Sequence, residues 1–248
     1  MERSVSISQD SQAKIIYIRH NQDLLPEPVQ ADFFSPSYWQ KKGCLVSRAS
    51  GRGNAYAVVY NTAHFFLRHY QRGGVFGPLL HDYYLWTGLH ATRAWREFKL
   101  LADMANSGLP VPRPVAAHVK RKGILYQADI VTERINGSAT LTQLLAHGQL
   151  ADTMWKAIGS CIRRFHDQGV FHADLNAHNI LIDEKHTIWL IDFDRSFKAR
   201  LGNRGKQANL RRLKRSLHKV WPDEVKTRLP ITHAWDLLYK GYAELGFQ

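Results

Sequence analysis

Short apolar runs punctuated by turn residues occupy the first third of the chain after an irregular start, and helical stripes take over later. Cys44-Leu45-Val46-Ser47, Ala55 to Tyr60 and Ala63-His64-Phe65-Phe66-Leu67-Arg68 read as strands. Gly51-Arg52-Gly53-Asn54 and a tight Asn61-Thr62 turn separate them. That spacing predicts an antiparallel meander. Over residues 91–105, Ala94, Trp95, Phe98, Leu101, Ala102 and Ala105 share one helical face. Gly108-Leu109-Pro110-Val111-Pro112-Arg113-Pro114 stops that helix, because proline cannot continue it. Strands around residues 115–119 and 124–132 bring the number predicted to five. Residues 1–30 are mixed and polar, with Pro26 and Pro28 limiting regular structure, and read as an N-terminal arm reaching to about residue 35.

Beyond residue 135 the pattern is mainly helical. Residues 141–146 and 152–168 predict helices, the second carrying Trp155, Ile158, Ile162 and Phe165 on one face and stopped by Gly169. Ile180-Leu181-Ile182 and Ile188-Trp189-Leu190-Ile191 read as short buried strands, joined by the polar turn Asp183-Glu184-Lys185-His186. Residues 209–220 predict a basic amphipathic helix with Leu210, Leu213 and Leu217 on its apolar side. After Pro222 and Pro230, a last helix is expected over residues 233–245.

The candidate chemistry lies around the short hairpin. Phe171-His172-Ala173-Asp174-Leu175-Asn176-Ala177-His178-Asn179 precedes its first strand, and Asp192-Phe193-Asp194 follows its second. A hairpin returns Asp192 beside Asn179, as a shared metal site requires. An Asp to accept a hydroxyl proton, with an Asn and a second Asp to hold Mg²⁺, is the set that phosphoryl transfer from ATP needs, since that reaction rests on positioning and charge neutralisation. Taken alone, Asp174 or Asn179 could be a turn residue or helix cap. His172, Asp174 and His178 could form a metal cluster, although no Cys pair or H-E-x-x-H accompanies them.

Composition narrows the class. A hydrophobic fraction of 44% with 22% charged residues fits a soluble globular protein, and 248 residues allow a large or two-part fold. Two distant cysteines, Cys44 and Cys161, argue against a disulfide framework and fit a reducing compartment. The polar N-terminus lacks a signal-peptide core, and no 18-residue apolar stretch is present, so a cytoplasmic location is expected. The net charge of +13 implies an anionic partner: nucleic acid, a membrane surface or an acidic substrate. Ten of the basic residues fall within residues 195–219, where no Asp or Glu occurs. Arg195, Lys198, Arg211, Arg212, Lys214 and Arg215 are the candidate substrate contacts in that run, against the alternative of a solvated helix face.

The pattern H-x-D-L-x-x-x-N, followed by an apolar strand ending in D-F, resembles the catalytic core of the protein-kinase-like superfamily. The resemblance implies an α+β, bilobal fold, with a five-stranded antiparallel N-lobe carrying one main helix (about residues 36–135) and a larger, mainly helical C-lobe (about 136–248). It places Gly51 and Gly53 over the ATP phosphates, where glycine admits close backbone approach, although Tyr56 stands where a third glycine is usual. It places Arg68 where protein kinases have a phosphate-contacting lysine, and Glu97 where a helix carboxylate faces that residue. Glu97 paired with Arg93 or Arg96 at the surface is the competing reading. Thr132-Glu133-Arg134-Ile135-Asn136-Gly137 becomes the hinge, with the Glu133 carbonyl and Ile135 amide as adenine contacts. Asp174 is then the base, and Asn179 and Asp192 the metal ligands.

Departures point away from a protein acceptor. Asn176 replaces the usual lysine, Ala173 an arginine and Asp194 the glycine of D-F-G, and no A-P-E element follows. Leu67-Arg68-His69-Tyr70-Gln71-Arg72-Gly73-Gly74, Pro110-Val111-Pro112-Arg113-Pro114, Thr132-Glu133-Arg134-Ile135 and Phe171-His172-Ala173-Asp174-Leu175-Asn176 are similar to the bacterial 3-deoxy-D-manno-octulosonic acid (Kdo) kinase family. Asn209-Leu210-Arg211-Arg212-Leu213-Lys214-Arg215-Ser216-Leu217 fits it too, so the likeness spans about residues 40–220. It implies Mg²⁺- and ATP-dependent phosphorylation of the 4-hydroxyl of Kdo on a lipid A precursor, at the anionic cytoplasmic face of the inner membrane. Neither nucleic acid nor an obligate protein partner is expected. A heptose kinase of the same group would share every catalytic residue, and a basic nucleic-acid-binding protein with a disabled kinase fold is the rival from another class.

Overall fold

The computed structural model describes residues 3–10, 14–48, 55–71, 82–148, 150–200, 202–222 and 230–244. Its contacts divide the chain into two compact units, residues 1–106 with 112–135, and residues 107–111 with 136–248.

The first unit is built on an eight-stranded antiparallel sheet, not the five strands expected. Its strands are β1 (Arg3–Gln9), β2 (Ile15–Asn21), β3 (Leu45–Arg48), β4 (Ala55–Tyr60), β5 (Ala63–His69), β6 (Tyr84–Leu85), β7 (Pro114–Lys122) and β8 (Leu125–Glu133). They lie in the order β1-β2-β7-β8-β5-β4-β3, with β6 also paired to β8. The meander β3-β4-β5 and the β7-β8 hairpin stand where the alternation placed them, and Gly123 turns the hairpin at φ +58. The N-terminal arm is the correction. Residues 3–21 supply two strands, and a 3₁₀ turn (Ala31–Phe34) sends Phe33 and Phe34 into the core. There they pack with Trp39 of α1 (Pro36–Lys41), Ile16, Ile18, Phe65, Leu67 and Val131.

Helix α2 (Arg93–Asn106) packs against β7 and β8. Its buried stripe consists of Ala94, Trp95, Phe98, Leu101 and Ala102, and it also buries Glu97, the one carboxylate on that side. An apolar stripe that accepts a carboxylate has to supply it with partners.

The second unit contains α3 (Leu141–Ala146), α4 (Asp152–Asp167), α5 (Asn203–Val220) and α6 (Ile231–Glu244). Thr140 and Gln143 form a reciprocal capping box that starts α3. The strands β9 (Ser138–Thr140), β11 (Ile180–Asp183) and β12 (Ile188–Leu190) make a small sheet, while β10 (Val170–Phe171) pairs with β13 (Phe197–Lys198). Helices α4 and α6 approach at glycines. A Cβ on Gly159 would stand 1.9 Å from the Leu238 carbonyl oxygen, and one on Gly241 would stand 2.1 Å from that of Lys156. Helix α5 starts at Asn203, six residues before the expected Asn209, which is therefore interior and buried. Among the described residues, no helix is long and apolar enough to cross a membrane.

Candidate active site

In the first unit, strand alternation aims Arg68 and His69 to opposite faces of β5. The Arg68 Nη2 donates to both carboxylate oxygens of Glu97, at 2.6 and 2.5 Å. Only 3% of the Glu97 side chain is exposed. Tyr70 completes the group: its hydroxyl donates to Glu97 Oε2 at 2.6 Å, and its ring lies 4.9 Å from the Arg68 guanidinium carbon. Burial, aided by the Glu97 charge, pushes the Tyr70 phenol well above its ordinary pKa, so it stays a donor. The arrangement selects the buried Glu97 over the surface carboxylate. Tyr70 escaped the sequence reading, although its place two residues beyond Arg68 is the period-2 signal that marks it.

The hinge candidates end this unit. The Glu133 amide donates to the Arg113 carbonyl at 2.9 Å, and its carboxylate accepts from Arg113 Nε and Nη2, both at 2.6 Å. Ile135 closes the unit two residues later. Gly51 and Gly53 lie outside the described residues, as does the Arg72-Gly73-Gly74 turn.

In the second unit, the β10-β13 pair ties together the two ends of the segment that carries the motif, with Val170 opposite Lys198 and Phe171 opposite Phe197. His172 is buried within it. Its Nδ1 accepts from the Asp174 amide at 3.1 Å, and its Nε2 donates to the Ile191 carbonyl at 2.9 Å. Desolvation lowers its pKa, and the neutral ring satisfies both bonds. Phe193 is fully buried, stacked on Phe165 and 4.6 Å from the His172 ring. The motif's apolar and histidine positions thus form the floor beneath its carboxylates.

Asn176 caps the turn by accepting from the amides of His178 and Asn179 at 2.8 and 3.2 Å. The Asn179 side-chain nitrogen donates to the Asp174 carbonyl at 2.9 Å, which turns Oδ1 the other way. The Ile191 amide donates to the Asn179 carbonyl at 3.0 Å, so Asp192 follows beside it. Asp192 is exposed and holds φ +61, a left-handed conformation that Asp tolerates and that recurs at functional sites. Asp174, Asn179 and Asp192 are brought together as the spacing required. Asn179 is buried and Asp192 exposed, and an amide oxygen with a carboxylate is a hard-oxygen pair that would suit Mg²⁺. Among the described residues, no three His, Cys, Asp or Glu side chains are grouped to hold a metal by themselves. His172, with both nitrogens engaged, is no ligand.

The residues of the basic run have different neighbours. Arg212 of α5 reaches Asp174, Nη1 to Oδ1, at 2.5 Å, and both side chains are about half exposed. Lys214 lies over the Trp235 ring of α6, 5.1 Å from its centroid. Arg195 and Lys198 are exposed near β13, and Arg211 and Arg215 are exposed on α5. Three polar residues that the sequence reading passed over hold the loop. Asn209 brackets residue 172, Ser196 accepts from the Ala173 amide, and Ser216 accepts from the Ala177 amide. Only Asn209 carried a signal, a polar residue adjoining the apolar stripe of its helix.

Residues 36–242 match the model of the lipopolysaccharide kinase (Kdo/WaaP) family. A 3-deoxy-D-manno-octulosonic acid kinase of Photobacterium profundum is 42% identical over 221 residues, covering 89% of this chain and 92% of that protein. The Vibrio cholerae protein of the same name is 43% identical over 185 residues, covering 75% and 78%. That of Actinobacillus succinogenes is 40% identical over 227 residues, covering 88% and 92%.

Proposed function

The chain belongs to the lipopolysaccharide kinase (Kdo/WaaP) family, and from that premise we propose how its residues phosphorylate the 4-hydroxyl of Kdo on a lipid A precursor. It is a phosphotransferase acting on a sugar hydroxyl, in the assembly of the lipopolysaccharide core. The observation that carries the residue assignment is the loop itself: a half-exposed carboxylate at Asp174, with its backbone carbonyl pinned by the Asn179 side chain and Asp192 beside them.

ATP is the phosphoryl donor. Mg²⁺, held by Asn179 and Asp192, would neutralise charge on its phosphates. Arg68 supplies a cation on the first unit, steadied by Glu97 and Tyr70. Gly51, Gly53 and the Glu133–Ile135 backbone are the remaining nucleotide contacts of this reading. Asp174 orients the sugar hydroxyl and accepts its proton as the oxygen attacks phosphorus, a contribution of about 10² to 10⁴ in rate. Arg212 stands nearest the reacting group among the basic residues of α5, with Arg195, Lys198, Arg211, Lys214 and Arg215 further along the same run. The acceptor carries carboxylate and phosphate, and the net charge of +13 favours both it and the anionic cytoplasmic face of the inner membrane, where the protein would sit peripherally.

The test is phosphate transfer from Mg²⁺-ATP to purified Kdo-bearing lipid A precursor, beside a heptosylated core without accessible Kdo, read by mass. One phosphate added to the first acceptor alone is expected. Transfer to the second alone would make the protein a heptose kinase.

A further inference from the structure

Helix α5 meets the catalytic loop through three rungs, and the middle one differs in kind from the outer two. Asn209, Arg212 and Ser216 are spaced i, i+3, i+7, which puts them on one side of the helix. At the first rung, Asn209 accepts from the His172 amide at 3.1 Å and donates to the His172 carbonyl at 2.8 Å, and it is 1% exposed. At the third, Ser216 accepts from the Ala177 amide at 3.0 Å. Both outer rungs are neutral and grip backbone, while Leu213 and Leu217 beside them are fully buried. Helix and loop are thereby held in fixed register. The middle rung joins two charged side chains, Arg212 and Asp174, at 2.5 Å, with 47% and 51% of their surfaces exposed. A half-exposed ion pair is weak and exchangeable. The two neutral rungs keep Arg212 over Asp174, yet the contact itself yields to a competing anion.

We propose that Arg212 is an acceptor-responsive latch on Asp174. Without acceptor, its guanidinium holds the carboxylate toward α5, where it does not serve a water molecule. An acidic sugar acceptor takes the guanidinium with its own anionic group, and the carboxylate turns to the hydroxyl. This rests on the reading of Asp174 as the base. The reaction that the latch suppresses is hydrolysis: the water oxygen bonds to the γ-phosphorus, the bond from that phosphorus to the β,γ-bridging oxygen breaks, the electron pair leaves with ADP, and the proton goes to Asp174. Asn209 and Ser216 are positioning residues in this scheme.

The experiment measures ATP hydrolysis without acceptor and transfer kinetics with it, for the full-length wild type, Arg212→Ala, Arg212→Lys and Arg212→Ala/Asp174→Asn, each checked for an unchanged melting transition. Arg212→Ala should hydrolyse ATP about fivefold faster than wild type, the factor that loss of one half-exposed ion pair corresponds to, while its acceptor KM rises. Arg212→Lys should restore much of the suppression, and Asp174→Asn should abolish the gain. A residue that merely binds acceptor would raise KM and leave hydrolysis unchanged, and a structural one would lower both activities. Either result overturns the latch, as does a gain that survives Asp174→Asn. Hydrolysis needs no acceptor, so an error in the sugar assignment would show only in the transfer assay.

Discussion

Glu97 and Arg68 stand 29 residues apart in sequence and 2.5 Å apart in space, with the carboxylate buried and Tyr70 donating to it from the other side. Removing one partner of such a pair strands the other, at a cost of about 3–5 kcal/mol. Glu97→Ala should therefore lose stability on that scale in urea unfolding. The double variant Arg68→Met/Glu97→Leu should recover part of it, because neither charge is then left without its partner, although the buried Tyr70 hydroxyl loses its acceptor. ATP affinity should stay low in both. A double variant that regained ATP affinity with stability would remove Arg68 from the nucleotide site.

Asp174 is half exposed; among the described residues its carboxylate meets only the equally exposed Arg212, while its backbone is held by His172, Asn176 and Asn179. Asp174→Asn should thus leave the melting transition and ATP binding near wild type. Turnover should fall by about 10² to 10⁴. Near-normal turnover would refute the assignment of Asp174 as base.

The sequence made the period-2 and period-3.6 segments legible where an element buries one apolar face. Strands β4 and β5, the β7-β8 hairpin, α2, α3 and α4 are such cases. It hid β1 because that strand lies at a sheet edge and exposes its apolar residues, Val5 at 52% and Ile7 at 65%. In β2 the inward Ile16 and Ile18 sit in the unbroken apolar run Ile15-Ile16-Tyr17-Ile18, which shows no period-2 alternation. The first turns of α5 are polar and largely solvated, so no stripe announced Asn203 as the start. At the site, local spacing placed Asp174, Asn179 and Asp192 together, since one hairpin joins them. The Arg68–Glu97 pairing depends on sheet and helix meeting over 29 residues and was reachable only through the order of motifs. Ser196 and Ser216 act through backbone amides of a distant segment, for which a sequence carries no period.

His166 is buried between Tyr242, at 2.8 Å from Nδ1, and Asn209, at 3.2 Å from Nε2. Burial pulls its pKa down from 6.5 to about 4. The unfolded chain then binds a proton that the folded one refuses, so stability falls as pH drops through 6.5 and levels off below about 4. That lowering corresponds to about 3 kcal/mol. His166→Gln, which keeps hydrogen-bonding capacity without the titration, should flatten the stability profile between pH 6.5 and 4 in urea unfolding. A variant with the wild-type slope would assign the acid sensitivity to another group.

The α4–α6 contact leaves no room for a methyl group on either side. A Cβ at Gly159 meets the Leu238 carbonyl oxygen at 1.9 Å, and one at Gly241 meets the Lys156 carbonyl oxygen at 2.1 Å. Both obstacles are backbone, so neither can rotate away, and the helices must separate. Gly159→Ala and Gly241→Ala should each destabilise by about 1–3 kcal/mol, the usual cost of overpacking, despite alanine's better helix propensity. Because separating the helices relieves both clashes at once, the double variant should lose less than the sum of the two. The shift should also reach the catalytic loop, since Tyr242 of α6 holds His166 and His166 meets Asn209. Turnover of Gly241→Ala at a temperature where it remains folded should therefore fall while ATP affinity holds. Stabilisation by either alanine would mean that the helices pack further apart than described.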